Sequence, residues 1–281
     1  MSSIITGLSP VALYEHDLKD EAKSASDYAK TDATVTNYTS SFEEDAVTIT
    51  SASALMKNYK ALSVVLGAYG LGSIQNSTAL VKDLLTQNPT DPKSVSAKSG
   101  NAAWTAFAKA FAAFDTSGSS ASTTSPFADQ STVDSIVTKY DEKSYETALE
   151  AQQSTSGVGN ALYFTRTMTT GMTVDQIMSD STLLKVVETV SGYNPTQFGV
   201  LDYDEQKRLI EKTYNASDFS SEANIQKYAE RYLAILQFNP QTVTQPASLL
   251  SLYGSDGTSD PTLSLFGITS SGNSLVSSLF G

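Results

Sequence analysis

Asp202, Asp204 and Glu205 form the acidic group best placed to do chemistry in this 281-residue chain. Paired carboxylates can divide acid and base roles or hold a hard cation. Their spacing lacks the glycine and terminal glutamate of a calcium loop, so a helix start enriched in acids by its dipole is the simpler account. Glu43-Glu44-Asp45 reads as a solvated turn. A Ser-His-Asp triad would have to use His16, the single histidine, which stands between Glu15 and Asp17 and reads as a surface residue. Gly67-Ala-Tyr-Gly70-Leu-Gly72 superficially resembles a phosphate loop. It follows a helical pattern and no Lys-Ser/Thr comes after it, so it reads as a helix end. With no cysteine, thiol nucleophiles, disulfides and Cys-based metal sites are excluded. The expectation is no catalytic, cofactor-binding or metal-binding residue, hence no enzyme and no cofactor.

Charge narrows the partners. Eighteen basic residues against thirty acidic ones give −12, and only Arg166, Arg208 and Arg231 are arginine. Phosphate backbones need clustered Lys and Arg, so nucleic acid is not an expected partner. An anionic membrane surface would repel the chain, and no run of apolar residues is long enough to insert in one. The first twenty residues lack a basic start and a clean apolar stretch before a small-residue cleavage site. Two locations follow as expectations: outside the cell, reached by export without a cleaved signal, and alternatively the cytoplasm.

The elements are helical throughout. Leu62, Val65, Leu66 and Tyr69 fall on one face of a helix over 51–72 that Gly70 ends. A second helix spans 77–86, and the turn at Asn88-Pro-Thr-Asp-Pro92 separates it from a third carrying Trp104, Phe107, Phe111 and Phe114. Val133, Ile136, Val137 and Tyr140 make another stripe, and Tyr145, Leu149, Tyr163 and Phe164 continue the apolar signal. Further helices are expected over 173–192 and 203–214, then a long one capped by Asp218 or Ser220 and carrying Ile225, Tyr228, Tyr232, Ile235 and Leu236. Arg166 and Arg231 stand beside aromatic stripes, where each would pair with a carboxylate to lock helices.

The organisation expected is an acidic, flexible N-terminal arm (1–35), in which Leu13, Tyr14 and Leu18 could give a short amphipathic helix that needs a partner, a first helical unit (36–114), a low-complexity linker (115–126), a second helical unit (127–238) and an apolar low-complexity tail (239–281). Sliding the chain by 122 residues pairs Phe42 with Phe164, Met56 with Met178, Leu62 with Leu184, Val65 with Val187 and Gly70 with Gly192. The order of elements agrees as well, which favours an internal duplication. In the tail, SLYG at 251–254 and SLFG at 264–267 and 278–281 are short apolar anchors. Tyr253, Phe266 and Phe280 are therefore the expected partner-binding residues.

Residues 133–152, 161–168 and 173–235 resemble a bacterial family catalogued as domain of unknown function 1217. The family pattern has a Tyr-Phe-x-Arg segment, matched by Tyr163, Phe164 and Arg166. It has an Asp before a Leu-rich helix, matched by Asp180, then a Gln and an Arg-Phe/Tyr-Leu, matched by Gln206 and Arg231-Tyr232-Leu233. The likeness extends to 58–73 and 87–100 and covers about 36–238. The N-terminal half has Ser41-Phe42-Glu43 where the pattern has Tyr-Phe-x-Arg, so an Arg-based lock would be missing there. Members are often encoded in flagellar gene clusters. The resemblance implies a mostly helical, flagellum-associated protein without known catalysis, and the Ser/Thr-rich, Arg-poor composition is like that of exported flagellar axial proteins. Its expected partner is a protein, a flagellar component. A homo-oligomer is left open, and a cytoplasmic chaperone or regulator of flagellar or secreted subunits is the alternative.

Overall fold

A computed structural model describes residues 4–5, 7–114 and 125–238, and among these all regular structure is helical. Tyr253, Phe266 and Phe280 lie outside the described residues, as do most of the expected linker and the tail from 239.

The chain begins with α1 (Pro10–Asp17), α2 (Glu21–Ala29) and α3 (Ala33–Asp45). Then come α4 (Ala52–Lys57), α5 (Tyr59–Ala68), α6 (Thr78–Thr86), α7 (Val95–Ser99) and α8 (Ala102–Ala110). The 21-residue α9 (Gln130–Glu150) is the longest. It is followed by α10 (Val158–Thr167), α11 (Val174–Met178), α12 (Ser181–Val190), α13 (Pro195–Phe198), α14 (Tyr203–Thr213) and α15 (Glu222–Phe238).

Capping chemistry divides these helices more finely than their apolar stripes do. The expected helix over 51–72 is two: Asn58 turns extended and accepts from the Ala61 N–H, starting α5 afresh. The expected helix over 173–192 breaks the same way at Asp180, whose carboxylate accepts from the Thr182 and Leu183 N–H groups. The last long helix is capped by Ser221, not by Asp218 or Ser220. Ser221 carbonyl accepts from Ile225, and its hydroxyl from the Asn224 N–H.

Two apolar cores form. One gathers Phe42, Val64, Leu66, Phe107 and Phe127; the other gathers Phe164, Val186, Phe219, Tyr228 and Tyr232. Helix α9, roughly 30 Å long at 1.5 Å per residue, runs through both. Val133 and Ile136 enter the first core, and Tyr145 and Leu149 enter the second.

The N-terminal segment is a correction. Expected as a flexible arm, residues 10–29 are α1 and α2, and Leu13 and Tyr14 are fully buried in the second core. A short stripe of two or three apolar residues cannot bury itself. Its partner lies some 150 residues downstream, where Tyr14 and Thr165 share a 2.7 Å hydrogen bond between hydroxyls. The linker's end is a second correction. Ser125 is buried and donates to the carbonyls of Ile49 (2.7 Å) and Ala46 (3.1 Å), which places Phe127 in the first core.

Helix boundaries and caps repeat at an offset of 122. Helix α5 runs from 59 to 68 and α12 from 181 to 190. Their caps are Asn58 and Asp180, and the caps of the preceding α4 and α11 are Ser51 and Thr173. Gly70 and Gly192 close α5 and α12 with φ of 71° and 83°, a left-handed conformation that glycine adopts without strain. The closing bonds correspond too: Leu71 N–H to Leu66 carbonyl at 2.8 Å, and Tyr193 N–H to Glu188 carbonyl at 2.9 Å.

Candidate functional site

Buried charge concentrates where α2, α9 and α10 meet. Arg166, near the end of α10, pairs with Glu21 of α2 and Glu146 of α9, and lies 3.5 Å from Glu142. Lys143 joins Glu146 at 3.0 Å and stands 4.5 Å from the Tyr163 ring centre. Three carboxylates thus share two cations. Burial pushes the Glu21 carboxyl up to about 7 even beside Arg166, whose guanidinium opposes the shift. Glu142 is raised for the same reason. Burial works against the Arg166 cation, but Glu146, Glu21 and Glu142 outweigh it and hold the guanidinium charged. One stem on α10 therefore ties α2 to α9.

Helix α10 is fixed at its other end by Glu150 of α9. One carboxylate oxygen accepts from the Gly157 and Asn160 N–H groups at 2.9 and 3.0 Å, filling the helix N-terminus as an acid does. Its other oxygen takes the Asn160 amide, which also donates to the Tyr232 hydroxyl of α15 at 3.2 Å. In this same first turn of α10 the helices nearly touch. A methyl added at Gly159 would sit 2.8 Å from the carbonyl carbon and 2.9 Å from the Cα of Glu146.

His16, Asp17 and Ser24 do come together, but in the wrong order for a triad. The Asp17 carboxylate, 1% exposed, is in the middle. It accepts from Ser24 at 2.9 Å and from the Tyr145 hydroxyl at 2.7 Å, and lies 3.0 Å from His16 Nδ1. Nucleophilic activation needs the imidazole between serine and carboxylate. Here the serine donates straight to the acid, so the cluster pins α1 to α2 and α9. His16 itself is half exposed, as its surface reading expects.

The remaining candidates are helix chemistry. Asp202 caps α14 by accepting from the Glu205 N–H at 2.9 Å, and Asp204 is exposed beside it. Glu205 pairs with Arg208. These carboxylates line a solvated helix start, not a pocket. Glu43 and Glu44 are exposed, and Asp45 accepts from the Asn58 amide at 2.7 Å. Arg231 is exposed on α15 and holds no lock, since its aromatic neighbour Tyr232 turns inward while the arginine faces water. Among the described residues no group of three or more His, Asp or Glu side chains could hold a metal ion. No described helix is long and apolar enough to cross a membrane.

Two further features are not among the sequence expectations. Asp141 of α9 is nine-tenths buried, and its Oδ1 has no hydrogen-bond partner in the protein. Burial, with Glu43 and Glu142 nearby, pushes its carboxyl up to about 7, Lys30 opposing. The second is a groove of about 500 Å³ between α2, α9 and the end of α5, lined by Tyr28, Gly67, Tyr140, Lys143, Ala148 and Ala151. An adjoining hollow of about 430 Å³ continues past Tyr28 to Ile4 and Asp32. The lining is small and aromatic; Lys143 is already paired and Tyr28 donates to Asp32 at 3.0 Å. Such a surface suits apolar contact with a side chain better than bond making. Its only sequence signal was the small-residue spacing at Gly67–Gly72.

Residues 68–225 match the family described as Protein of unknown function (DUF1217). No curated protein matches the chain. The fold is similar to the crystal structure of protein AGR_C_984 from Agrobacterium tumefaciens, with a TM-score of 0.66 at 22% identity. That match covers 84% of this chain and 99% of the other. At this identity the likeness is one of fold.

Proposed function

The chain belongs to the DUF1217 family, and we propose that it is a non-enzymatic, flagellum-associated structural or assembly protein that acts through protein–protein contacts. One observation carries this reading: apart from the exposed Arg231, the polar residues of the family pattern are engaged in fixing helices and their ends. Tyr163 donates to the Asp180 cap at 2.6 Å. Arg166 ties α2 to α9. The Gln206 amide donates to the carbonyls of Leu201 and Phe198 at 2.9 and 3.2 Å, and Tyr232 takes the Asn160 amide. A pattern spent on architecture suits a protein whose work is done by its surface and tail. The flagellar part rests on the family resemblance over 36–238 and on the Ser/Thr-rich, Arg-poor composition. Export without a cleaved signal would deliver such a chain.

The tail residues Tyr253, Phe266 and Phe280 would make the contact with a protein partner. The test compares full-length protein with a variant lacking 246–281, each immobilised and presented with purified flagellar axial proteins. Full-length protein is expected to retain one of them. The shortened variant is expected to retain none, while its circular dichroism keeps the helical signal of residues 10–238. Equal retention by both, or retention by neither, would overturn the reading.

A further inference from the structure

We propose that the chain is a covalent pseudo-dimer: a duplicated unit whose two copies exchange the opening of their leading helical segments, α1 in one copy and the first half of α9 in the other, so that each half completes the other's core. The recurrence at 122 extends beyond the matched helices α4/α11 and α5/α12. Helices α3 and α10 end at 45 and 167, and each buries a phenylalanine, Phe42 or Phe164. Shifted by the same 122, α1 and α2 at 10–29 fall on 132–151, the span of α9.

Tyr14 then corresponds to Ile136 and Val11 to Val133. Their places in the fold are crossed. Tyr14, from the first half, is buried in the second core, with Val11 packed against it. Ile136 and Val133, from the second half, are buried in the first core, while the later half of α9 stays in its own core through Tyr145 and Leu149. The polar contacts repeat the crossing. Tyr14 meets Thr165 of α10, and Glu21 meets Arg166. Ser125, leading into α9, is held by the carbonyls of Ala46 and Ile49. Reciprocal insertion of one element by two related units is the geometry of a domain-swapped dimer, here within one chain. An element that completes its partner's core stabilises the partner before it stabilises its own half.

Hydrogen exchange on full-length protein tests this, because the effect of each substitution must cross to the other half. Leu13→Ala is expected to lower protection in α10 and α15 by about tenfold or more and to leave α5, α6 and α8 unchanged. Ile136→Ala is expected to do the reverse, deprotecting α5 and sparing α12 and α15. Should either variant fail to fold, Leu13→Val and Ile136→Val carry the same crossed expectation at smaller size. Loss confined to the half that carries the substitution, or equal loss in both halves, would overturn the proposal.

Discussion

Replacing Arg166 by leucine is expected to lower unfolding stability by about 3 kcal/mol at pH 8, as removal of one partner from a buried charge group does. Glu146 is 3% exposed, and Glu142 and Glu21 are 13% and 15% exposed. Without the guanidinium, these three carboxylates would share one lysine. The loss should depend on pH with a definite sign. The folded-state pKa of Glu21 is already raised to about 7, above the usual value. The folded protein therefore holds a proton that the unfolded chain releases, and this contribution to stability fades as pH rises towards 7. Deleting Arg166 raises the carboxylates further, so the gap between variant and parent should widen from pH 5 to pH 8. Urea unfolding at both values measures it. Arg166→Lys should fall between the two, because one ammonium cannot span Glu21 and Glu146 as a planar fork does. A deficit that is constant with pH would mean that lost packing, not charge, is responsible.

Gly159→Ala should be nearly as costly, at about 3 kcal/mol, the upper end of what overpacking a core exacts. The added methyl meets the backbone of Glu146, which cannot rotate away. Helices α9 and α10 would have to separate, and the Arg166 and Glu150 contacts at either end would lengthen with them. Gly72→Ala is the control, since a methyl there meets nothing within 4 Å. It is expected to change stability by less than about 0.5 kcal/mol. Thermal or urea unfolding of the pair would show it. Comparable small effects at both positions would mean that α9 and α10 are not held at the observed separation.

Local chemistry was legible in the sequence, and long-range pairing was not. The stripe Leu62–Val65–Leu66 and the Gly70 cap depend on neighbours within one or two turns, and both appear as expected. The break at Asn58 was missed because apolar periodicity runs through it, although the capping side chain was in plain view. Helix α1 is legible only as a short amphipathic stretch around Leu13, Tyr14 and Leu18, and its partner is not legible at all. Its two buried apolar residues pack with α10 and α15, and the buried Asp17 finds Tyr145 128 residues away. An acidic, sparsely apolar segment looks solvated until the core that receives it is known. The same distance hid the α2–α9 groove and the buried Asp141. The Arg166 lock was readable in part: an arginine beside Tyr163-Phe164 announced a carboxylate partner, but not that there would be three on two helices.

The central claim, a flagellum-associated protein carried out of the cell without a cleaved signal, is tested most directly by following where the protein goes. Immunoblots of cell pellet, culture supernatant and sheared filaments would compare the native bacterium with a strain lacking the flagellar export apparatus. The protein is predicted in the supernatant or filament fraction of the native strain and in the pellet alone when export is absent. Protein confined to the pellet in both strains would contradict the claim and point to a cytoplasmic chaperone or regulator.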